Sequence, residues 1–263
     1  MSSTNDWALI LGASSGFGGA AAVELAKTGL HIFGVHLDRK GTMPLVEEVI
    51  RKIQATGRKA VFFNINAADE EKRRESLDKM KAEMEPESTV RVLMHSLAFG
   101  SLKLYVAPEA ADEVDKVKME MTLDVMANSL VYWTQDLMRR KMMQHGGRIF
   151  AMTSSGGSRV LPNYGPVSAA KAALESHIRQ LAFELAPHGI TANSIRAGVT
   201  DTPALRKIPG NDKLVAMAKE RNPGGRLTTP EDVAKFMALM TDERAQWVTG
   251  NVIGVDGGED IVG

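Results

Sequence analysis

Short apolar runs alternate with longer amphipathic stretches along the whole chain. The runs at 7–11, 31–36, 59–64, 90–95, 148–152, 191–195 and 252–255 are apolar or β-branched at nearly every position. That pattern predicts strands covered on both faces. Between them, 17–28, 42–55, 69–84, 112–143, 165–186 and 230–240 read as helices. Gly29, Gly57 and Gly146 stand where left-handed helix caps are expected. Strand and helix in strict alternation predict an α/β fold, a doubly wound parallel sheet of the Rossmann kind with helices on both faces. The rhythm breaks at 199–229, where Pro203, Pro209, Pro223, Gly224 and Gly225 surround a short helical piece at 212–221. An insertion of that sort beside a sheet reads as a substrate lid.

The 263 residues suit one domain spanning 1–263. The 32 basic and 32 acidic residues cancel, so no global field exists to hold nucleic acid or an anionic membrane. Cysteine is absent, which removes disulfides, thiolate catalysis and cysteine-ligated zinc; no metal site is expected. The first apolar run stops at Gly12, too short for a signal or spanning helix, and a cytoplasmic location is expected. The run 69–75 alternates charge at helical spacing and reads as a solvated helix face. The 15 methionines scatter through the helices, with Met119, Met121, Met126, Met138, Met142 and Met143 concentrated in the long middle one, and read as core or subunit-interface packing.

The first strand runs into Gly12-Ala13-Ser14-Ser15-Gly16-Phe17-Gly18, and a helix follows. Gly12 permits a tight turn. Gly16 bares the backbone so that a pyrophosphate can approach the helix N-terminus, where free N–H groups and the dipole favour anions. Gly18 lets the helix pack on the strand. At the end of the second strand, an acid would bind an adenosine ribose 2′-hydroxyl and repel a 2′-phosphate. His36 stands there, with Asp38, Arg39 and Lys40 behind it. The missing acid and the two cations favour NADPH, with Asp38 arguing for NADH.

After the fifth strand comes Ser154-Ser155-Gly156-Gly157, then Tyr164 and, seven residues on, Lys171. Seven residues make two helical turns, about 10 Å of rise, returning to the same face. A phenol is a poor acid-base group at neutral pH unless a nearby ammonium lowers its pKa.

The glycine spacing G-x-x-x-G-x-G resembles that of the short-chain dehydrogenase/reductase family. The resemblance extends through the Tyr164–Lys171 pair, Gly198-Val199-Thr200-Asp201-Thr202 and Val255-Asp256-Gly257-Gly258. Within that family, Tyr-x6-Lys, His95-Ser96-Leu97-Ala98-Phe99 and the proline-free Arg196-Ala197-Gly198 turn resemble enoyl-[acyl-carrier-protein] reductases, with the type III enzymes most similar. The resemblance implies catalytic roles for Tyr164, Lys171 and Ser154. It implies cofactor contacts at the glycine loop, including Ser14, Ser15 and Phe17, and at His36, Arg39, Asn66, Ala67, Ser96, Leu97, Ala98, Lys171, Gly198, Val199 and Thr202. It also implies NADPH, an acyl thioester substrate on acyl carrier protein or CoA, and a homotetramer or homodimer. The helix asparagine of many relatives aligns with Met126, with Asn128 two residues off, which puts a proton relay there in doubt. His95 and His36 read as structural or cofactor contacts rather than bases. A carbonyl or 3-oxoacyl reductase and a nucleotide-binding protein without turnover remain the rival readings.

Overall fold

The computed structural model describes residues 5–262. Seven strands form one sheet in the order β3-β2-β1-β4-β5-β6-β7, every neighbouring pair parallel. They are β1 Trp7–Leu11, β2 His31–His36, β3 Ala60–Asn64, β4 Val90–His95, β5 Arg148–Thr153, β6 Thr191–Ala197 and β7 Val252–Val255. The period of two in β1 shows why these strands lack a polar face. Trp7, Leu9 and Leu11 enter one buried cluster, while Ala8 and Ile10 enter the other. In β5, Ile149 and Ala151 face the first cluster, Phe150 and Met152 the second.

The helices are α1 Gly16–Lys27, α2 Met43–Gln54, α3 Glu70–Glu83, α4 Lys116–Leu123, α5 Ser129–Arg139, α6 Gly165–Leu185, α7 Asn211–Arg221 and α8 Pro230–Met240. Residues of α3, α5 and α6 fill the first cluster; residues of α1, α2 and α8 fill the second. Helices thus cover both sheet faces, as the alternation predicted. Among the described residues no helix is long and apolar enough to cross a membrane.

The stretch expected as one helix over 112–143 is different. It begins four residues later at Lys116, where the Asp115 carboxylate accepts the Lys118 N–H at 2.8 Å. It widens into a π-helical segment at Asp124–Asn128 and stops at Arg139. Hydroxyls at both ends of the widened turn bond back along the helix: Thr122 to the Lys118 carbonyl at 2.7 Å and Ser129 to the Val125 carbonyl at 2.9 Å. Such back-bonding bends helices. The stop comes from Lys141, held left-handed at φ 54°, rather than from Gly146 further on.

The charged run on α3 is solvated in part, with Arg74–Glu70 and Lys72–Glu75 pairs on its surface. Arg73 is the exception. It is buried, and its Nε donates to the Asp136 carboxylate of α5 at 2.8 Å.

Candidate active site

The parallel order puts the C-terminal ends of β1 and β4 side by side, with crossovers leaving in opposite directions. That is the switch point where such sheets open a crevice. The glycine loop lies there. Gly12 and Ala13 donate their N–H groups to the Val35 carbonyl at 2.8 and 3.0 Å, tying the loop to β2. Gly12 has φ +91°, and a Cβ on it would meet the Ser96 carbonyl oxygen at 2.3 Å. No side chain would fit between the two loops. Ser15 is the N-cap of α1 but makes no side-chain cap bond, so the first-turn N–H groups keep no internal side-chain partner. From the other side, Thr202 approaches to 3.5 Å from the ideal Cβ position on Gly16. The loops after β1, β4 and β6 therefore meet in one cradle of small residues and free donors, which suits a nucleotide pyrophosphate by size and by charge.

At the end of β2, His36 is buried and its Nδ1 donates to the Asp38 carboxylate at 3.0 Å. Asn64 clamps the Asp38 backbone from β3, accepting its N–H at 3.0 Å and donating to its carbonyl at 2.9 Å. Asp38 is thus turned inward, whereas Arg39 and Lys40 are exposed. After β3, Asn66 is exposed and accepts the Ala68 N–H, while the Ala67 carbonyl accepts the buried Trp133 indole N–H at 2.8 Å. In the loop after β4, Ala98 is exposed and Leu97 turns toward the tyrosine described next.

Tyr164 caps the start of α6 and Lys171 lies two turns on. The phenol sits among Val125, Met126, Val167 and Ala170, with Leu97, Leu102, Met121 and Ile208 packed around them. Gly156 lies flat on the Tyr164 ring; a Cβ there would meet Cε1 at 2.6 Å. Burial pushes the phenol pKa up, opposed by a hydrogen bond from Ser154. Lys171, expected to lower it, does not act on the phenol in this way; its Nζ donates to the Met152 carbonyl at 2.7 Å. Burial brings the Lys171 pKa down to about 8, with nearby Glu175 opposing the shift. The arrangement is a protonated phenol in an apolar wall and, two turns along the same helix, a buried ammonium anchored on the Met152 carbonyl. A phenol that stays protonated can donate a hydrogen bond to developing negative charge.

Met126 stands within the tyrosine cluster, whereas the Asn128 amide oxygen lies 3.1 Å from His177 on α6. The asparagine is therefore not beside the phenol. His95 is fully buried and its pKa falls to about 3, chiefly through desolvation. Its Nε2 lies 2.9 Å from Ser129 Oγ. Since that hydroxyl gives its hydrogen to Val125, the ring nitrogen donates. A neutral, buried ring holding α5 to the sheet is a structural group, as expected.

Two neighbours were not foreseen. Tyr105, in the irregular loop before α4, lies over Gly165; a Cβ on Gly165 would meet its ring at 2.7 Å. Glu259 sends its carboxylate to the Val199 backbone N–H at 3.0 Å. No local pattern marks either residue, since each contact joins distant parts of the chain. The 199–229 stretch holds α7 as expected, with only Ala218 of that helix buried and Ile208 leaning on the tyrosine cluster.

A family model described as enoyl-(acyl carrier protein) reductase matches residues 12–259. An NADH-dependent enoyl-[acyl-carrier-protein] reductase of Aquifex aeolicus is 31% identical over 172 residues, covering 65% of this chain and 63% of that protein. A 1-cyclohexenylcarbonyl-CoA reductase of Streptomyces collinus is 26% identical, covering 97% of this chain and 86% of that one. The crystal structure of the Aquifex aeolicus enoyl reductase superposes with a TM-score of 0.83 at 24% identity, covering 99% of both chains. A Burkholderia cenocepacia short-chain dehydrogenase in complex with NADP does so at 0.80 and 24%, covering 97% and 98%. The matched span runs from the glycine loop to Glu259, through every part of the crevice, and the chain belongs to the enoyl-(acyl carrier protein) reductase family of short-chain oxidoreductases that use a nicotinamide dinucleotide.

Proposed function

We propose that this chain reduces the 2,3 double bond of trans-2-enoyl thioesters, using NADPH. The observation that carries the reading is Tyr164, a phenol held protonated by burial in an apolar wall, with Lys171 seven residues on. The reduced nicotinamide, when bound, supplies a hydride to the β-carbon of the substrate. Negative charge then gathers on the thioester oxygen, and Tyr164 donates its hydrogen bond there. Lys171 would hold the ribose hydroxyls and keep positive charge nearby. The Val199 backbone N–H and Thr202 would hold the carboxamide and phosphate ends. A proton from solvent adds at the α-carbon and completes saturation. Leu97, Leu102, Met121, Leu161 and Ile208 offer an acyl chain an apolar wall, and the segment at 199–229 closes over it to exclude water.

The test is a substrate panel on the purified protein: a trans-2-enoyl thioester and a 3-oxoacyl thioester, each with NADPH and NADH, followed by loss of reduced-nicotinamide absorbance. Turnover of the enoyl thioester is expected. Turnover of the 3-oxoacyl thioester alone would favour a carbonyl reductase, the reading that the Ser154–Tyr164 hydrogen bond supports. Binding without turnover would mark a nucleotide-binding protein.

The NADPH preference rests on Arg39 and Lys40, both exposed at the mouth beyond β2, with Asp38 drawn aside by His36. Replacing both cations by Ala should weaken NADPH about tenfold or more relative to NADH, since charge-assisted bonds to a 2′-phosphate disappear. Equal weakening of both cofactors would reject it. A homotetramer or homodimer is the assembly we propose. Leu239 on α8 and Phe183 on α6 are exposed apolar side chains on opposite sides of the sheet, and Trp247 and, on the edge strand β7, Val252 are exposed as well, each a place a second copy could cover.

A further inference from the structure

The Val199 N–H, the donor assigned above to the nicotinamide carboxamide, already has an acceptor. Both Glu259 oxygens reach it, Oε1 at 3.2 Å and Oε2 at 3.0 Å. Oε2 also lies 2.7 Å from the ideal Cβ position on Gly198, so the carboxylate rests where that glycine leaves room. Its surroundings do not favour a charge. Burial raises the Glu259 carboxyl, and Asp256 and Asp260 raise it further, against the Val199 bond and Arg221.

The backbone around it keeps Glu259 in this position. Glu259 opens the 3-10 turn Glu259–Ile261. The Asp256 carboxylate accepts the Gly258 and Asp260 N–H groups at 3.0 and 3.1 Å. The Asp260 carboxylate pairs with Arg159 at 2.9 Å and Arg196 at 2.8 Å. Arg221, at the end of α7, donates to the Val262 carbonyl. Arg159 belongs to the segment leading to Tyr164 and Arg196 to β6, so the turn is fastened to the active-site loop, the sheet and the lid helix together. A carboxamide oxygen that came to this N–H would meet the carboxylate already on it. Only one of them can have it.

We propose that Glu259 gates the nicotinamide subsite: its carboxylate holds the Val199 N–H in the free protein and gives it up to the cofactor carboxamide. This rests on the nicotinamide reading of the crevice. Exchange costs the carboxylate a backbone donor, so nicotinamide binding is weaker than its own contacts would make it. The adenosine and phosphate half of the cofactor, bound at the other side of the crevice, is untouched.

The full-length protein and its Glu259→Ala and Glu259→Gln variants should be titrated calorimetrically with NADPH and with 2′-phospho-ADP-ribose, which lacks the nicotinamide. NADH and ADP-ribose form the matching second pair. In Glu259→Ala the intact cofactor should bind about fivefold more tightly, the scale of one hydrogen bond regained, while the fragment stays within about twofold. Glu259→Gln keeps a neutral acceptor of the same shape and should fall between; it decides the matter if the alanine variant folds poorly. Unchanged or weaker NADPH binding, or equal tightening of the fragment, overturns the gate while leaving the nicotinamide reading in place. A wild-type protein that binds fragment and intact cofactor equally, with the variants also equal, overturns both.

Discussion

Tyr164→Phe is expected to lower turnover of an enoyl thioester about a hundredfold or more, while leaving cofactor affinity nearly unchanged. The substitution keeps the ring that packs on Gly156 and among Val125 and Met126, and removes only the donor. Loss of one preorganised donor to a developing oxyanion has that magnitude. Lys171→Ala should damage both turnover and cofactor binding, since the ammonium serves the ribose as well as the oxyanion. The double variant should be little worse than the poorer single one, because the two act as a unit. The pH dependence has a definite sign. With Lys171 titrating at about 8 in the free protein, kcat/KM should fall as pH rises through that value, where the ammonium is lost. Full activity of Tyr164→Phe on every enoyl and oxo substrate would make the pair structural.

Asp136→Ala should produce the largest loss of stability. The carboxylate is 3% exposed and serves Arg73 at 2.8 Å, with Arg139 and Arg140 each 3.7 Å away. Arg73 is itself 5% exposed, with its guanidinium 5.5 Å from the centre of the Tyr132 ring. Removing the acid strands that cation between α3 and α5. Breaking a buried pair from one side costs about 3–5 kcal/mol, which for a chain of this length lowers Tm by roughly 10 °C. The double change Arg73→Met with Asp136→Leu should recover most of the loss, since no charge is then left unpaired. Thermal unfolding of the variants tests this. A loss below about 1 kcal/mol, the scale of exposed pairs such as Arg74–Glu70, would show that water reaches the site.

The same Arg73 shows where reading the sequence stops. Its run alternates sign at helical spacing, and nothing local separates the arginine that turns inward from those that stay in water. Its partner lies 63 residues away. The sheet was legible because β1 needs apolar residues on both faces, a demand written locally. The glycine loop was legible because a backbone approach as close as that of Gly12 to Ser96 excludes every side chain. The middle helix misled because methionine and valine continue through the widened turn at Asp124–Asn128, and a periodic count does not register extra residues per turn. Lys141 gave no sign of its left-handed backbone. Tyr105 and Glu259 reach the site only across the fold, the latter over 60 residues of chain.

The strand order also bears on how the chain emerges during synthesis. β1 is made first yet lies inside the sheet, between β2 and β4. Once β3 is complete at Asn64, β1–β3 can assemble, but one edge of β1 stays bare until β4 ends at His95. At about 5–20 residues per second, that interval lasts about 2–6 seconds. During it a nascent chain offers Trp7, Leu9 and Leu11 beside an unpaired strand edge, which is what an aggregating neighbour can pair with. The interior place that gives the glycine loop its crevice therefore leaves the nascent chain with an open strand edge for that interval, which prompt elongation shortens.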